Sequence, residues 1–263
     1  MKIKVALVTG AAMGYKKGGP SIGGSIAIQL AKDGFKVVVV DVLKMREKTV
    51  EIIKKNGGEA ISVRANVTKK KDILTALNIA KEKFGGLTCL VNCVARYSAG
   101  MANNVVKTSE DEWNKTLDVN LGGYYRCAKY AIPLILKSGG GTTINISSPK
   151  GIRVIRNFAV YAVSKAAIEA LTKTLAIDFA PKIRTNCVSP DFVRIENSER
   201  GRSKEELENW YKEIARDYPM GRVCETQEVA NVVSFLASDK ASYINGETIY
   251  VDSGKTHSDR HNF

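Results

Sequence analysis

The amino-acid sequence predicts an α/β protein in which one doubly wound parallel sheet is covered by helices on both faces. Apolar, β-branched runs alternate with longer amphipathic stretches along almost the whole chain of 263 residues, which is typical of repeated strand-helix-strand units. The runs are continuous rather than alternating, as in the four valines at 37–40, and this favours strands buried on both faces. No Pro/Gly/Ser-rich linker or internal repeat divides the chain, so a single domain is predicted.

Seven strands are predicted in chain order, at residues 3–9, 36–41, 60–64, 87–92, 142–147, 183–188 and 248–251. Helices are predicted in the gaps, because those stretches carry the apolar spacing of one helix face. The domain is predicted to span residues 1–254, and residues 255–263 form a polar C-terminal tail.

The composition is that of an ordinary globular protein, with 44% hydrophobic and 25% charged residues. The apolar run at residues 3–8 is too short for a signal segment or a membrane span, so a cytoplasmic protein without membrane contact is expected. The five cysteines are an odd number without a Cys-x-x-Cys pair, which predicts reduced thiols. His257 and His261 have no cysteine or carboxylate cluster to complete a ligand set, so no metal site is expected.

The net charge of +13 raises the question of a polyanionic partner. The basic residues are spread through the chain, and no basic stripe interleaved with aromatic residues stands out. Nucleic-acid binding is therefore not expected. A basic surface also attracts anionic cofactors, which is the interpretation we prefer.

A glycine-rich segment follows the first predicted strand. Gly10 and Gly14 come first, and Ser21, Ile22 and Gly23 then open a helix. Glycines at such a junction let the backbone approach a pyrophosphate, whose charge the helix N-terminus attracts. The order of strand, glycines and helix predicts a dinucleotide site rather than a merely flexible turn.

Asp41 ends the second predicted strand, 18 residues after Gly23. A carboxylate at this place accepts hydrogen bonds from the adenosine ribose and repels a 2'-phosphate, so NAD is the expected cofactor and NADP the less favoured one. Three lysines, Lys16, Lys17 and Lys44, oppose this expectation because they would attract the phosphate.

The chemistry is predicted at the polar corner that follows the strand at residues 142–147. Tyr161 and Lys165 are four residues apart, so on a helix they share one face. The Lys165 ammonium is expected to lower the pKa of the Tyr161 phenol and to make it a general acid and base. Ser148 comes 13 positions before Tyr161 and is expected to hydrogen-bond the substrate oxygen. The alternative is that the Tyr-Lys pair only decorates a solvated helix face.

Seven short motifs, in this order and spacing, together resemble the short-chain dehydrogenase/reductase family over almost the whole chain. They are Thr9-Gly10-x-x-x-Gly14 with Ile22-Gly23, Asn92-Cys93-Val94-Ala95, Asp118-Val119-Asn120, Asn145-Ile146-Ser147-Ser148, Tyr161-x-x-x-Lys165, Asn186-x-x-Ser189-Pro190 and Val251-Asp252-Ser253-Gly254. The resemblance implies a Rossmann-type sheet of seven strands, an NAD(H) or NADP(H) cofactor and a homotetramer. It also implies a lid over the substrate at about residues 190–217, where Phe192, Trp210 and Tyr211 either line the pocket or pack together.

The resemblance also implies roles for individual residues. The implied catalytic group is Asn120, Ser148, Tyr161 and Lys165, in which Asn120 supports a proton-relay water and Lys165 touches the nicotinamide ribose. The implied cofactor-binding residues are Gly10, Gly14, Ser21, Ile22, Gly23, Asp41, Asn66, Val67, Asn92, Lys165, Pro190 and Val193.

Two features depart from the family pattern near the predicted site. Seven residues, 15–21, are inserted in the glycine segment, whose end is similar to that of the enoyl-reductase branch. That branch spaces its tyrosine and lysine wider than Tyr161 and Lys165, so carbonyl/alcohol chemistry is favoured. Asp191 replaces a glycine close to the nicotinamide, and its carboxylate is expected either to pair with Arg194 or a lysine, or to approach the ring.

The expected function is that of an NAD(P)-dependent oxidoreductase that interconverts a carbonyl and an alcohol. Substrates left open are 3-oxoacyl thioesters, sugars or polyols, and hydroxy acids. The alternatives are an enoyl reductase and a non-catalytic, dinucleotide-sensing regulator. Arg96, Lys150 and Arg153 follow the predicted strands and suit a substrate with an anionic group, unless they are solvated loop charges.

Overall fold

Seven parallel strands form the central sheet of the computed structural model, which describes residues 3–14, 19–98, 100, 102–196 and 201–257. They are β1 (Val5–Thr9), β2 (Lys36–Asp41), β3 (Ala60–Arg64), β4 (Cys89–Asn92), β5 (Gly141–Ile146), β6 (Ile183–Pro190) and β9 (Thr248–Val251). Their order across the sheet is β3-β2-β1-β4-β5-β6-β9. Each of the seven predicted strands is present, with ends that differ by at most two residues.

Two further strands, β7 (Val193–Arg194) and β8 (Cys224–Glu225), pair in parallel as a separate small sheet. The sequence analysis missed them, because strands of two residues are too short to show a periodic pattern. They lie on either side of α7, and only β7 falls within the region at residues 190–217 that is expected to cover the substrate.

The helices between the strands are α1 (Ile22–Lys32), α2 (Arg46–Lys55), α3 (Lys70–Phe84), α4 (Glu110–Leu117), α5 (Gly123–Lys137), α6 (Ala159–Asp178), α7 (Lys204–Ala215) and α8 (Thr226–Ala237). One π-helical turn, Asp118–Gly122, joins α4 to α5. Such turns shift the side chains that follow and occur often at functional sites.

The core lies on both faces of the sheet. Ala6 and Val8 of β1 pack in one apolar cluster with α1 and α8, whereas Val5 and Leu7 pack in a second cluster with α3 and α5. All four side chains are buried. Successive strand residues point to opposite faces, so burial on both faces requires the continuous apolar runs seen in the sequence. The predicted fold class, a doubly wound parallel sheet, is confirmed.

The sheet changes winding direction between β1 and β4. β1 pairs with β2 on one side and with β4 on the other, and the chain builds the two halves of the sheet outward from this point. The loops that leave the carboxyl ends of these two strands separate and open a cleft, as expected at a topological switch point.

The segment at residues 190–217 contains a packed aromatic cluster. Ring centroids of Phe192 and Trp210 lie 5.3 Å apart, and those of Trp210 and Tyr211 lie 5.2 Å apart. None of the three lines the cleft. Of the two alternatives in the sequence analysis, the structure therefore supports packing.

The first residues of the C-terminal tail pack against the domain. Residues Lys255–His257 form a short helical turn, and the Lys255 ammonium lies 4.0 Å from the centroid of the Tyr218 ring. Residues 258–263, with His261, lie outside the described part of the chain. In the described part, none of the helices combines the length and the hydropathy that a membrane crossing requires.

Candidate active site

A cleft of about 570 Å³ opens at the carboxyl edge of the sheet, above β1 and β4. Its volume falls in the range of about 300–1,000 Å³ that is usual for small-molecule and cofactor sites. One wall carries the glycine segment and Asp41, and the other carries Ser148, Tyr161 and Lys165. The two halves of the site predicted from sequence therefore face one space.

Gly10 and Gly23 shape the floor of the cleft. Gly10 has a φ of 66°, and a Cβ there would lie 2.9 Å from the Val94 Cα atom. A Cβ on Gly23 would collide with the Gly10 carbonyl oxygen. The absence of side chains lets the N-terminus of α1 approach the loop after β1, which leaves backbone N–H groups facing the cleft for a pyrophosphate.

The seven-residue insertion is closed at its base, so the glycine segment keeps a compact shape. Gly14 donates its backbone N–H to the Gly19 carbonyl at 2.8 Å. The Ser21 hydroxyl donates to the Ala12 carbonyl at 2.7 Å and accepts from the Gly24 N–H at 3.0 Å, so it also caps α1. Residues 15–18, with Lys16 and Lys17, lie outside the described residues.

Asp41 is held by hydrogen bonds from two loops at one end of the cleft. Its two carboxylate oxygens accept from the Ala12 N–H at 3.0 Å and from the Leu43 N–H at 2.9 Å. Arg46, which the sequence analysis did not single out, donates to the Leu43 carbonyl at 3.0 Å. The carboxylate is thus held at the end of β2 with a guanidinium close to the same loop.

The Tyr161 phenol lies on the cleft wall and forms a hydrogen bond with Ser148. Burial raises the pKa of Tyr161 to about 12, while the Ser148 hydrogen bond acts in the opposite direction. The sequence analysis expected Lys165 to lower this pKa, and that expectation is wrong for the chain alone. Desolvation of the phenolate is the largest cause of the raised pKa, and the Tyr97 and Asp191 groups add to it.

Lys165 is almost completely buried, with 2% of its surface exposed. Its ammonium donates to the Ile146 carbonyl at 3.0 Å and lies 5.6 Å from the centroid of the Tyr161 ring. Burial lowers the pKa of Lys165 to about 8. The lysine therefore holds a cation beneath the tyrosine ring at neutral pH, close to the pH at which it loses the proton.

Asn120 lies in the π-helical turn and is fully buried. Its side-chain oxygen accepts from the Arg96 backbone N–H at 2.7 Å, and its amide nitrogen lies 3.4 Å from the Ser164 hydroxyl. The turn thus links the loop after β4 to the helix that carries Tyr161. Asn120 does not line the cleft itself.

Comparisons with known proteins agree with this geometry. A family model described as Enoyl-(Acyl carrier protein) reductase matches residues 18–256. The chain belongs to the short-chain dehydrogenase/reductase family. It is 36% identical to the 3-oxoacyl-[acyl-carrier-protein] reductase FabG of Staphylococcus aureus, over 95% of this chain and 97% of that one. It is 35% identical to the cyclohexanol dehydrogenase of an Acinetobacter species, over 96% and 95% of the two chains.

A solved structure gives the same result for the fold. The ligand-free aldohexose dehydrogenase of Thermoplasma acidophilum is similar with a TM-score of 0.86 and 30% sequence identity, over 100% of this chain and 97% of that one. The family assignment and the expectation of an enzyme are confirmed, and as a short-chain dehydrogenase/reductase the protein is an NAD(P)-dependent oxidoreductase.

Most of the site residues that the short-chain dehydrogenase/reductase resemblance implied do lie on the cleft wall. They are Gly10, Ser21, Ile22, Gly23, Asp41, Asn66, Val67, Ser148, Tyr161, Lys165 and Pro190. Gly14 lies instead against Glu196, and Val193 pairs with Cys224 in the small sheet. Asn92 is buried below the cleft, where it donates to the Asn145 side chain at 2.9 Å. These three residues support the walls from behind.

The structure supports one of the two positions expected for the Asp191 side chain, which were pairing with a cation and approach to the nicotinamide ring. Its side chain is 7% exposed, forms an ion pair with Lys150 and lies 4.0 Å from the Lys255 ammonium. The carboxylate pairs with a lysine, as one alternative held, although the partner is Lys150 and not Arg194. Asp191 still lines the cleft, so a paired negative charge stands where other family members have a glycine.

Proposed function

We propose that this member of the short-chain dehydrogenase/reductase family interconverts a carbonyl and an alcohol, with Tyr161 as the general acid and base. The observation that carries the proposal is that Tyr161, bonded to Ser148 and above the Lys165 ammonium, faces the same cleft as the glycine segment. The bound nicotinamide supplies or accepts the hydride. The protein residues move the proton.

The arrangement gives each polar group a separate task. With a pKa of about 12, Tyr161 holds its proton at neutral pH and is ready to donate it to a developing alkoxide. Ser148 is fixed at the start of a helical turn, so its hydroxyl can bond the same oxygen. The Lys165 cation stabilises the phenolate that remains, and Asn120 holds the backbone behind the site.

Enoyl reduction is the competing activity within the family, because the matching family model carries that description. Two features support carbonyl chemistry instead. Tyr161 and Lys165 lie one turn apart on α6, and Ser148 lies close enough to Tyr161 to lower its pKa through a hydrogen bond. With a substrate bound, this triad would offer a proton donor and a hydrogen-bond donor to one substrate oxygen, which supports reduction of a carbonyl.

Consumption of NADH or NADPH in the presence of matched substrates tests the proposal. A ketone or aldehyde is expected to be reduced, whereas an enoyl thioester without a reactive ketone is expected to be inert. Turnover of the enoyl thioester alone would establish the competing activity. Tight cofactor binding without turnover of either compound class would contradict the proposal.

We also propose NAD(H) as the preferred cofactor, because the Asp41 carboxylate stands at the adenosine end of the cleft. The dissociation constant of NADH is expected to be lower than that of NADPH by about tenfold or more. The reason is that the 2'-phosphate of NADPH would be repelled by the Asp41 carboxylate. Asp41→Asn keeps the shape and removes the charge, so it is expected to narrow this ratio mainly by improving NADPH binding. Titration of the two reduced cofactors measures both dissociation constants.

Asp178→Asn is the matched control for that titration. Asp178 is exposed at the end of α6, so the substitution changes the net charge equally and leaves the cleft untouched. Its NADH/NADPH ratio is expected to equal that of the wild type. Tighter NADPH binding by the wild type would contradict the proposal and would mean that cations such as Lys44 and Arg46 outweigh Asp41.

Three further proposals concern a lid over the substrate, the oligomeric state and the cellular location. Residues 190–217 close over the substrate, and the chain assembles as a homotetramer. Exposed apolar side chains on α5 and α6 support assembly, with Tyr125 50% and Ile177 80% exposed. All five cysteines are free, which supports a cytoplasmic location. Light scattering that gave the mass of one 28.7 kDa chain would contradict the tetramer.

A further inference from the structure

The rings of Tyr97 and Phe158 pack against the ring of Tyr161, which lines the cleft. The Tyr97 and Phe158 ring centroids lie 5.9 Å and 6.2 Å from the Tyr161 ring centroid, each close to edge-on, and 6.0 Å from one another. Tyr97 is 69% exposed. A large ring left in solvent beside the reacting hydroxyl offers an apolar contact surface to a bound molecule.

Tyr97 is held in this position by both of its neighbours. The Arg96 backbone N–H donates to Asn120 at 2.7 Å, and the Arg96 guanidinium donates to Glu112 at 2.6 Å. The Ser98 hydroxyl donates to the other oxygen of Glu112, also at 2.6 Å. The backbone is thus fixed on each side of an exposed ring, so little ordering entropy is lost when a ligand binds to it.

The connection from Ser148 to α6 also exposes apolar side chains. Ile152 and Val154 in this connection are 53% and 69% exposed, and Phe158 ends it at the N-terminus of α6. Asn157, just before Phe158, has a φ of 64°, a left-handed conformation that asparagine tolerates better than most residues. The chain bends there immediately before the second ring of the cluster.

The cations expected to receive an anionic substrate are engaged within the chain. Arg96 is paired with Glu112, and Lys150 is paired with Asp191. Arg153 donates to the Lys255 carbonyl. An anionic group at these residues would have to displace an existing acceptor and would approach the Asp191 carboxylate on the cleft wall.

We infer that the substrate is an uncharged carbonyl or alcohol compound with an apolar ring next to the reacting carbon, and that Tyr97 and Phe158 hold this ring. The inference rests on the proposed function and adds the substrate class to it. The Tyr97 ring is exposed and contacts the Tyr161 ring, so a substrate ring that packs on the exposed side of Tyr97 brings the attached carbonyl toward Tyr161 and Ser148. Each methylene group of the substrate that this contact removes from water strengthens substrate binding about fourfold.

The test compares ketones that differ in one property each. Acetophenone and cyclohexanone carry an apolar ring, para-acetylbenzoate adds a carboxylate to the first of them, and acetone lacks the ring. The wild type is expected to show kcat/KM values for the ring ketones about tenfold or more above those for para-acetylbenzoate. The ring ketones are also expected to exceed acetone by a similar factor, since a hydrophobic contact of this size is worth about 10–200-fold.

Substitutions in the cluster locate the effect. Tyr97→Ser and Phe158→Ser are each expected to raise KM for the ring ketones about 2- to 10-fold, and to raise it by a larger factor than KM for acetone. Tyr97→Leu keeps an apolar side chain and is expected to restore part of the loss. Tyr243→Ser is the control, because Tyr243 is fully exposed and does not belong to the ring cluster around Tyr161. NADH titration of each variant checks that its affinity for the cofactor equals that of the wild type.

The outcomes separate this inference from the proposed function. Reduction of para-acetylbenzoate, an aldohexose or another polar carbonyl in preference to the ring ketones would overturn the inference and leave carbonyl chemistry in place. Unchanged KM values in both serine variants would also overturn it. Failure to turn over any carbonyl compound would instead contradict the proposed function.

Discussion

Tyr161→Phe is expected to lower kcat for carbonyl reduction by about 10²–10⁴-fold, the usual contribution of a positioned general acid. The ring stays in place, so its contacts with Tyr97 and Phe158 and the shape of the cleft are kept. Only the hydroxyl that bonds Ser148 is removed. Cofactor binding is therefore expected to stay close to that of the wild type, as measured by NADH titration beside steady-state kinetics.

Tyr250→Phe is the matched control for this variant. Its hydroxyl lies 3.3 Å from a Glu169 carboxylate oxygen, outside the cleft, so the substitution removes a hydrogen-bonded phenol of the same kind without touching the site. Its kcat is expected to equal that of the wild type. A Tyr161→Phe variant with near-normal kcat would show that another group transfers the proton.

Lys165→Met is expected to lower turnover about 10²-fold or more and, in contrast, to make the protein more stable near neutral pH. A buried ammonium is costly, and methionine fills the same space without a charge. The Ile146 carbonyl keeps a partner, because the Tyr124 hydroxyl also donates to it at 3.0 Å. The change in pKa from 10.5 to about 8 corresponds to at most about 3 kcal/mol of unfolding free energy.

The difference in unfolding free energy between Lys165→Met and the wild type is expected to depend on pH. The unfolded chain keeps the Lys165 proton up to about pH 10.5, whereas the folded chain keeps it only up to about pH 8. Between these values the unfolded state binds more protons, so wild-type stability rises with pH. The advantage of Lys165→Met is therefore full below about pH 8 and is lost as the pH approaches 10.5.

Denaturant unfolding of the apoprotein across this pH range measures the difference. Lys173→Met, at an exposed position on the same helix, is the control and is expected to show no such trend. A Lys165→Met variant that is less stable than the wild type at neutral pH would refute a buried, destabilising charge.

The fold was predictable because its signals are local and repeated. Strands β1 and β2 are continuous apolar runs, because consecutive residues such as Ala6 and Leu7 face different helix layers. The two strands of the small sheet, Val193–Arg194 and Cys224–Glu225, carry no such repeat. Their pairing depends on where the chain folds back, which short-range patterns do not encode.

The residues that form the site could be predicted from the sequence, but the direction of their pKa changes could not. Spacing alone places Tyr161 and Lys165 on one helix face, yet the direction of their pKa changes is set mainly by burial. Tyr97 was missed for a related reason. Its role depends on the bonds of Arg96 and Ser98 to Glu112, a residue on a different element that no sequence motif connects to the loop.

The central claim, hydride transfer at a carbonyl carbon, is tested most directly by isotope transfer. The enzyme is incubated with NADH carrying deuterium at the transferable position and with a substrate that contains both a ketone and a conjugated carbon–carbon double bond. Mass spectrometry of the product is expected to show one deuterium on the former carbonyl carbon and an intact double bond. Deuterium on the carbon β to the carbonyl, with the ketone retained, would contradict the account and establish enoyl reduction.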